Sequence, residues 1–267
     1  MGIEAVYFQR TGLLLGKERM KLLAQKRVII LGIGGVGSWC AESLIRTGIQ
    51  HLTIVDSDQI CVTNINRQLH ATTKTIGEIK TEVLKNRLLE INPKAQIEAL
   101  QMVYERDTAH LFDFNNFDYV VDAIDSLSNK ALLIHNACES STTLVASMGS
   151  ALKIDSSRIK TGDFWKVSGC KLASAVRKRL RRGKLTSKPF MCVYSDEALP
   201  NFVDYMSDEE GNGVSDNNQT PSDNSSIATH GFSQKAVING SLVHITAIFG
   251  FTLAGLVVKD IYEQIIE

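Results

Sequence analysis

Along residues 27–148 the chain switches repeatedly between two hydrophobic patterns. Short apolar runs, RVIIL (27–31), HLTIVD (51–56), QIEALQM (96–102), YVVDAI (119–124) and TTLVASM (142–148), read as buried strands. Between them GSWCAESLIRTG (37–48), GEIKTEVLKNRLLEIN (77–92) and SNKALLIHNACESS (128–141) carry helical spacing, with a short helix near Thr108 to Phe112. Strands alternating with helices predict βαβ units, right-handed crossovers and a mostly parallel sheet. Asn92-Pro93 stops the second of these helices, because the residue before a proline is driven out of the helical region. In such sheets ligands bind beyond the carboxyl ends of the strands. The segments after VIIL, TIV and YVV, which hold Gly32 to Gly37, Asp56 with Asp58, and Asp122 with Asp125, are therefore expected to share one crevice.

The expected fold class is thus α/β, a Rossmann-like doubly wound, mostly parallel sheet at 27–160 with a C-terminal elaboration. Residues 1–26 form a helical arm whose charges surround only one short apolar run, Leu13 to Leu15, which excludes a signal peptide or anchor. Residues 161–267 read as a substrate and dimer region. It contains a basic segment at 171–188, with eight basic residues and no acidic one, a strand FMCVYS, and a polar stretch at 196–226 expected to be a long mobile loop. The last forty residues look helical. The run from Ala236 to Val258 is long enough to span a bilayer, but Asn239, Ser241, His244 and Thr246 interrupt it and no second span exists; a buried helix of an α/β layer is the expectation, with membrane association the minority reading.

Composition adds limits. Lys and Arg number 29, as do Asp and Glu, so there is no global basic field and any nucleic-acid contact must be local. The five cysteines are widely spaced and contain no C-x-x-C, which argues against a disulfide framework or a structural zinc and fits a cytoplasmic location. His70, His135, His230 and His244 have no ligand spacing and are expected to be structural.

Gly32, Gly34 and Gly37 satisfy the spacing G-x-G-x-x-G, with Gly35 between them, and Asp56 falls about twenty residues on, where a ribose-binding carboxylate is expected. That fingerprint alone suggests NAD. However, VDSDQICVTNINRQ adds Asp58, Asn64, Arg67 and Gln68 within a few residues, and Lys80 follows. Arg suits bidentate phosphate contact and Lys adds a point charge, so the set is better matched to a polyphosphate. Asp125 and Asp122 end the fourth strand, where Mg²⁺ bridging phosphate oxygens needs one or two carboxylates. ATP with Mg²⁺ is the expected ligand.

GIGGVGSW, DSD, TNINRQ, GEIKTEV and DAIDSLSNK, in this order, resemble the ATP-binding core of the ThiF/MoeB/HesA superfamily, to which ubiquitin-activating enzymes belong. YFQRTGLLLG resembles its leading arginine motif, and IRTGI, CVTNINRQLHA and AIFGF are similar to the branch of threonylcarbamoyladenosine dehydratases. The resemblance implies that Asp56 holds the ATP ribose, that Asn64, Arg67 and Lys80 hold phosphates, that Asp125 holds Mg²⁺, and that Arg10 reaches the ATP of the other subunit of a homodimer. It also implies a substrate: tRNA carrying threonylcarbamoyladenosine beside the anticodon, whose side-chain carboxylate is activated by ATP so that an internal atom can close a ring with loss of water. Arg67, Lys80 and Asp125 would carry that catalysis.

Relatives that act on ubiquitin-like sulfur carriers often have a four-cysteine zinc site, which this sequence lacks, and some have a catalytic thiol; Cys170 and Cys192 lie in the corresponding region but in no motif. In the tRNA reading, Arg177, Lys178, Arg179, Arg181 and Arg182 become phosphate contacts, against the alternative of a solvated helix face. Adenylation of a carrier protein, a sulfur-transfer partner, and a non-catalytic NAD-binding scaffold stay open at this level.

Overall fold

The computed structural model describes residues 4–202 and 239–264. His230, residues 203–226 of the expected loop and the first residues of the 236–258 run lie outside them. The N-terminal arm comprises α1 (Glu4–Tyr7), α2 (Gln9–Leu15) and α3 (Lys17–Gln25). There follow β1 (Arg27–Leu31), α4 (Gly37–Thr47), β2 (His51–Val55), α5 (Lys80–Ile91), β3 (Gln96–Leu100), β4 (Tyr119–Asp122), α6 (Leu127–Cys138) and β5 (Thr143–Ser147). The chain closes with β6 (Ile159–Asp163), α7 (Lys171–Arg182), β7 (Met191–Ser195) and α8 (Val243–Glu263).

The strands form one seven-stranded sheet in the order β3-β2-β1-β4-β5-β7-β6, parallel throughout except for β6, which pairs antiparallel with β7. The fold is α/β, doubly wound and Rossmann-like, as the hydrophobic pattern predicts. Because strand side chains alternate, Val28 and Ile30 enter one core with α4, α5 and α8, while Ile29 and Leu31 enter the other with α6 and α7. The strand order reverses between β1 and β4, so the crevice opens there.

Two elements differ from expectation. β6 has no apolar run because it is an edge strand with one neighbour and no fully buried residue. It straddles residue 160, and β7 inserts beside β5, so the later half of the chain is woven into the same sheet. α5 starts at Lys80 rather than near Gly77: Gly77, at φ +87°, ends a turn and donates to the Ile60 carbonyl at 2.8 Å, and Ile79 is extended just ahead of the helix.

α8 has the length and apolar content of a membrane span, yet Ile245, Phe249, Leu253, Val257 and Ile261 recur at helical spacing on the face buried in the core. It lies very close to α4. A Cβ on Gly250 would stand 2.5 Å from the Val36 carbonyl oxygen and 2.9 Å from the Cys40 nitrogen. Gly250→Ala is therefore expected to cost about 1–3 kcal/mol by overpacking, read as a lower urea midpoint with an unchanged slope; no loss of stability would mean that α8 can retreat from α4 freely.

Candidate functional site

The crevice is built on the turn between β1 and α4. Gly32 adopts φ +84° and donates to the Val55 carbonyl at 2.8 Å. A Cβ there would lie 2.8 Å from the Ala123 carbonyl oxygen, and one on Gly37 would overlap the carbonyl of Gly32 itself. These two positions admit only glycine, and the backbone they allow leads into the N-terminus of α4, whose unpaired N–H groups favour an anion. Gly34 faces the Gln68 amide, with 3.6 Å between its Cβ position and Nε2. Gly35 instead gives room to Thr246 of α8 and to the stem of Arg67, each within 3.3 Å of a Cβ placed there.

A second layer of bonds ties the 64–69 segment to this turn. Ser38 Oγ donates to the Gly34 carbonyl at 2.7 Å and accepts from the Leu69 nitrogen at 3.3 Å, and Trp39 Nε1 donates to the Arg67 carbonyl at 3.1 Å. Asn64 is buried, and its Oδ1 accepts from the Cys61 nitrogen at 3.0 Å, capping a short 3-10 turn at Val62–Asn64. The half-buried Arg67 donates from Nη1 to the Thr63 carbonyl and to Asn66 Oδ1, both at 2.9 Å. Burial pushes its guanidinium pKa down, and the negative field of Asp125 opposes this.

Asp56 connects β2 to the glycine turn: Oδ2 accepts from the Ile33 nitrogen at 2.9 Å and Oδ1 from the Asp58 nitrogen at 3.0 Å. Its carboxyl pKa is raised, chiefly by burial, with Lys80 acting in the opposite sense. Lys80, only 4% exposed, opens α5 and points back at this pair, 2.8 Å from Asp58 Oδ2 and 3.8 Å from Asp56 Oδ1. Asp58 thus holds the ammonium in place from the solvent side. Asp125 is exposed just past the carboxyl end of β4.

These groups fit a nucleoside polyphosphate. Asp56 keeps lone pairs for a ribose hydroxyl beyond its two backbone bonds. Gln68 Oε1 is buried and finds no partner among the described residues, an orphaned acceptor of the kind a ribose hydroxyl satisfies. Lys80 and Arg67 supply positive charge on the far side. Asp125 is a hard oxygen ligand at the crevice, and one carboxylate suffices for Mg²⁺, which fills its other positions with water and phosphate oxygens.

Asp122 does not join them. It is completely buried at the end of β4 and ion-paired with the equally buried Lys130 at 2.8 Å, so its expected role as a second metal ligand is corrected: it faces the core, away from water and phosphate. Arg10 lies exposed on α2, and no contact among the described residues ties it to the crevice. Of the basic residues on α7, Lys178, Arg179, Arg181 and Arg182 are exposed, whereas Arg177 is committed to the fold: Nη1 donates to the Phe164 carbonyl at 2.7 Å and the guanidinium sits over the Phe164 ring. Cys170 and Cys192 are buried, and burial pushes the Cys192 thiol up to about 12, which disfavours a thiolate there.

Sequence reading missed Ser38, Trp39, Thr246 and Lys130. Lys130 carried a signal: it falls on the same helical stripe as Leu133, Ile134 and Ala137, where a lysine is out of place unless paired.

Comparison with known proteins agrees with this geometry. A family model described as the ThiF family matches residues 8–261. A Bacillus subtilis protein named tRNA threonylcarbamoyladenosine dehydratase is 38% identical over 191 residues, covering 72% of this chain and 75% of that one. The Escherichia coli protein of the same name is 37% identical over 201 residues, covering 72% and 74%. The crystal structure of the E. coli dehydratase in complex with ATP superposes with a TM-score of 0.79 at 31% identity, covering 96% of this chain and 94% of that one.

His70 gives the site a pH signature. It is 2% exposed, neither ring nitrogen has a partner among the described residues, and burial followed by the Lys80 charge lowers its pKa from 6.5 to about 4. The unfolded chain then binds a proton that the folded one refuses, so stability is complete above pH 6.5 and falls as the pH drops from 6.5 toward 4. Urea titrations across that window are expected to show a shallower pH slope for His70→Leu than for the parent; equal slopes would locate the effect elsewhere.

Proposed function

Because the chain belongs to the ThiF family, we propose that it is an ATP-dependent dehydratase that cyclises the threonylcarbamoyl side chain of threonylcarbamoyladenosine in tRNA. The observation that carries the reading is the convergence of Asp56, Lys80, Arg67 and Asp125 on the glycine turn, in a chain that matches dehydratases over most of its length.

A carboxylate is a poor acyl donor because its leaving group is oxide. Transfer of AMP from ATP to its oxygen, expelling pyrophosphate, or of phosphate, expelling ADP, supplies a good one; an internal atom then attacks the acyl carbon, closes the ring and loses its proton as AMP or phosphate leaves, the net loss from the side chain being one water. Such transfers need charge stabilisation and alignment more than a protein nucleophile. Asp56 holds the ribose, the N-terminus of α4 and Asn64 face the phosphates, and Lys80 and Arg67 stabilise charge developing on them. Asp125 would hold Mg²⁺, which neutralises phosphate oxygens when bound. With Cys170 and Cys192 buried, the thiol-free route is favoured over chemistry through a cysteine.

Two further assignments follow. The exposed Lys178, Arg179, Arg181 and Arg182 contact tRNA phosphates. The arm pairs with a second copy, which brings Arg10 to the neighbouring crevice; its apolar Leu13 and Leu14 are 82% and 80% exposed in the single chain and supply the contact. The cytoplasm is the proposed location, since its tRNA substrate resides there.

Incubation with ATP, Mg²⁺ and threonylcarbamoyl-bearing tRNA is expected to yield a nucleoside lighter by one water by mass spectrometry, and identifying AMP or ADP names the intermediate. No mass loss, with pyrophosphate exchange only on adding a Gly-Gly-ended carrier protein, would establish carrier adenylation instead. Arg67→Ala and Asp125→Asn should each lower turnover about 100-fold or more with melting unchanged. Exchanging Arg179 and Arg182 for Glu should weaken tRNA binding and flatten its dependence on log salt by about one per lost phosphate contact; an unchanged slope would return α7 to a solvated face.

A further inference from the structure

Lys130 lies in the first turn of α6 and is fully buried. Its Nζ donates to Asp122 Oδ1 and to the Ile124 carbonyl, both at 2.8 Å, while the Ile124 nitrogen donates to the same Asp122 oxygen at 3.1 Å. One ammonium and one carboxylate therefore grip the donor and the acceptor of a single peptide residue, directly before Asp125. The other side of this turn is also fixed. The Ala123 nitrogen donates to the Leu31 carbonyl at 2.9 Å, and the Ala123 carbonyl stands where a Cβ on Gly32 would be.

Burying two charges in a core is not a route to stability, since well-packed apolar residues serve as well or better. Its use here is geometric. A lysine reaching from α6 holds the 122–125 turn at a set height above β4, wedged against the glycine turn. We propose that Lys130 is a positioning residue for Asp125: it aims the Asp125 carboxylate toward Arg67 and the metal of the bound triphosphate without touching either. This rests on the metal role given to Asp125 above. It accounts for a buried ion pair in a place where Asp122 itself has no ligand to bind. It also accounts for the position of Lys130 at the end of DAIDSLSNK: the motif holds the clamp as well as the carboxylate it aims.

Lys130→Met alone leaves a buried carboxylate uncompensated and can unfold the chain, so the informative variant is Lys130→Met with Asp122→Leu, which removes both charges. Cooperative melting and AMP affinity are expected to persist, because Asp56 and the glycine turn are intact. Mn²⁺ affinity in the presence of ATP, followed by electron paramagnetic resonance, is expected to weaken about tenfold or more, as when an outer-shell support is lost, and Asp125→Asn should weaken it at least as much. If the double variant binds Mn²⁺ like the parent while Asp125→Asn does not, the positioning role is overturned. If Asp125→Asn also binds Mn²⁺ like the parent, the metal assignment falls first and takes the proposal with it. Failure of the double variant to melt cooperatively would make the pair a requirement of folding and equally overturn the proposal.

Discussion

The crevice depends on one steric constraint: at Gly32 and Gly37 the backbone runs through space where no Cβ fits. β1 enters this turn from the centre of the sheet, flanked by β2 and β4. With Gly32 at positive φ, the Ile33 nitrogen turns toward Asp56 on one side and the Ala123 carbonyl packs on the other. Asp56 and the turn bearing Asp125 are thereby registered against the same few backbone atoms. A side chain at Gly32 would displace the 122–125 turn from its strand.

Electrostatics are arranged on that frame in half-buried pairs. Lys80 is almost fully buried with Asp58 and Asp56 facing its ammonium, and Arg67 is held by a backbone carbonyl and Asn66 while sensing Asp125. Holding these charges in place before a ligand arrives means that little reorganisation is needed when charge develops on a phosphate, which is the main way such sites accelerate transfer. Burial strengthens each pairwise interaction by excluding water, and it also raises the Asp56 carboxyl pKa and lowers that of His70.

The C-terminal elaboration contributes more than a separate substrate unit would. β7 and β6 extend the sheet beyond β5, α7 shields its lower core, and α8 lies against α4 through Gly250 with Thr246 under Gly35. Asn66 donates to the Ser241 carbonyl at 3.0 Å, so the 64–69 segment is also pinned by residues just ahead of α8. The helix that has the composition of a membrane span backs the glycine turn.

The strands, the crossover helices and the convergence of Gly32 to Gly37, Asp56, Lys80 and Asp125 are legible from residue order alone, because period and glycine spacing are local properties and parallel βαβ topology leaves few ways to assemble them. The preference for a triphosphate over a dinucleotide is legible too, from the types of residue downstream of Asp56. What residue order does not decide is direction. Asp122 and Asp125 are the same residue type three positions apart, and only the pleat of β4 and the arrival of Lys130 from α6 turn one into the core and leave the other at the crevice. Likewise Arg177 and Arg179 are indistinguishable in a basic run until the Phe164 carbonyl claims one of them. β6 is invisible for a related reason: an edge strand is made by its partner's hydrogen bonds, not by an apolar pattern of its own. Local chemistry determined which charged and polar groups the chain carries near its glycine turn; packing between elements distant in sequence decided which of them face the crevice.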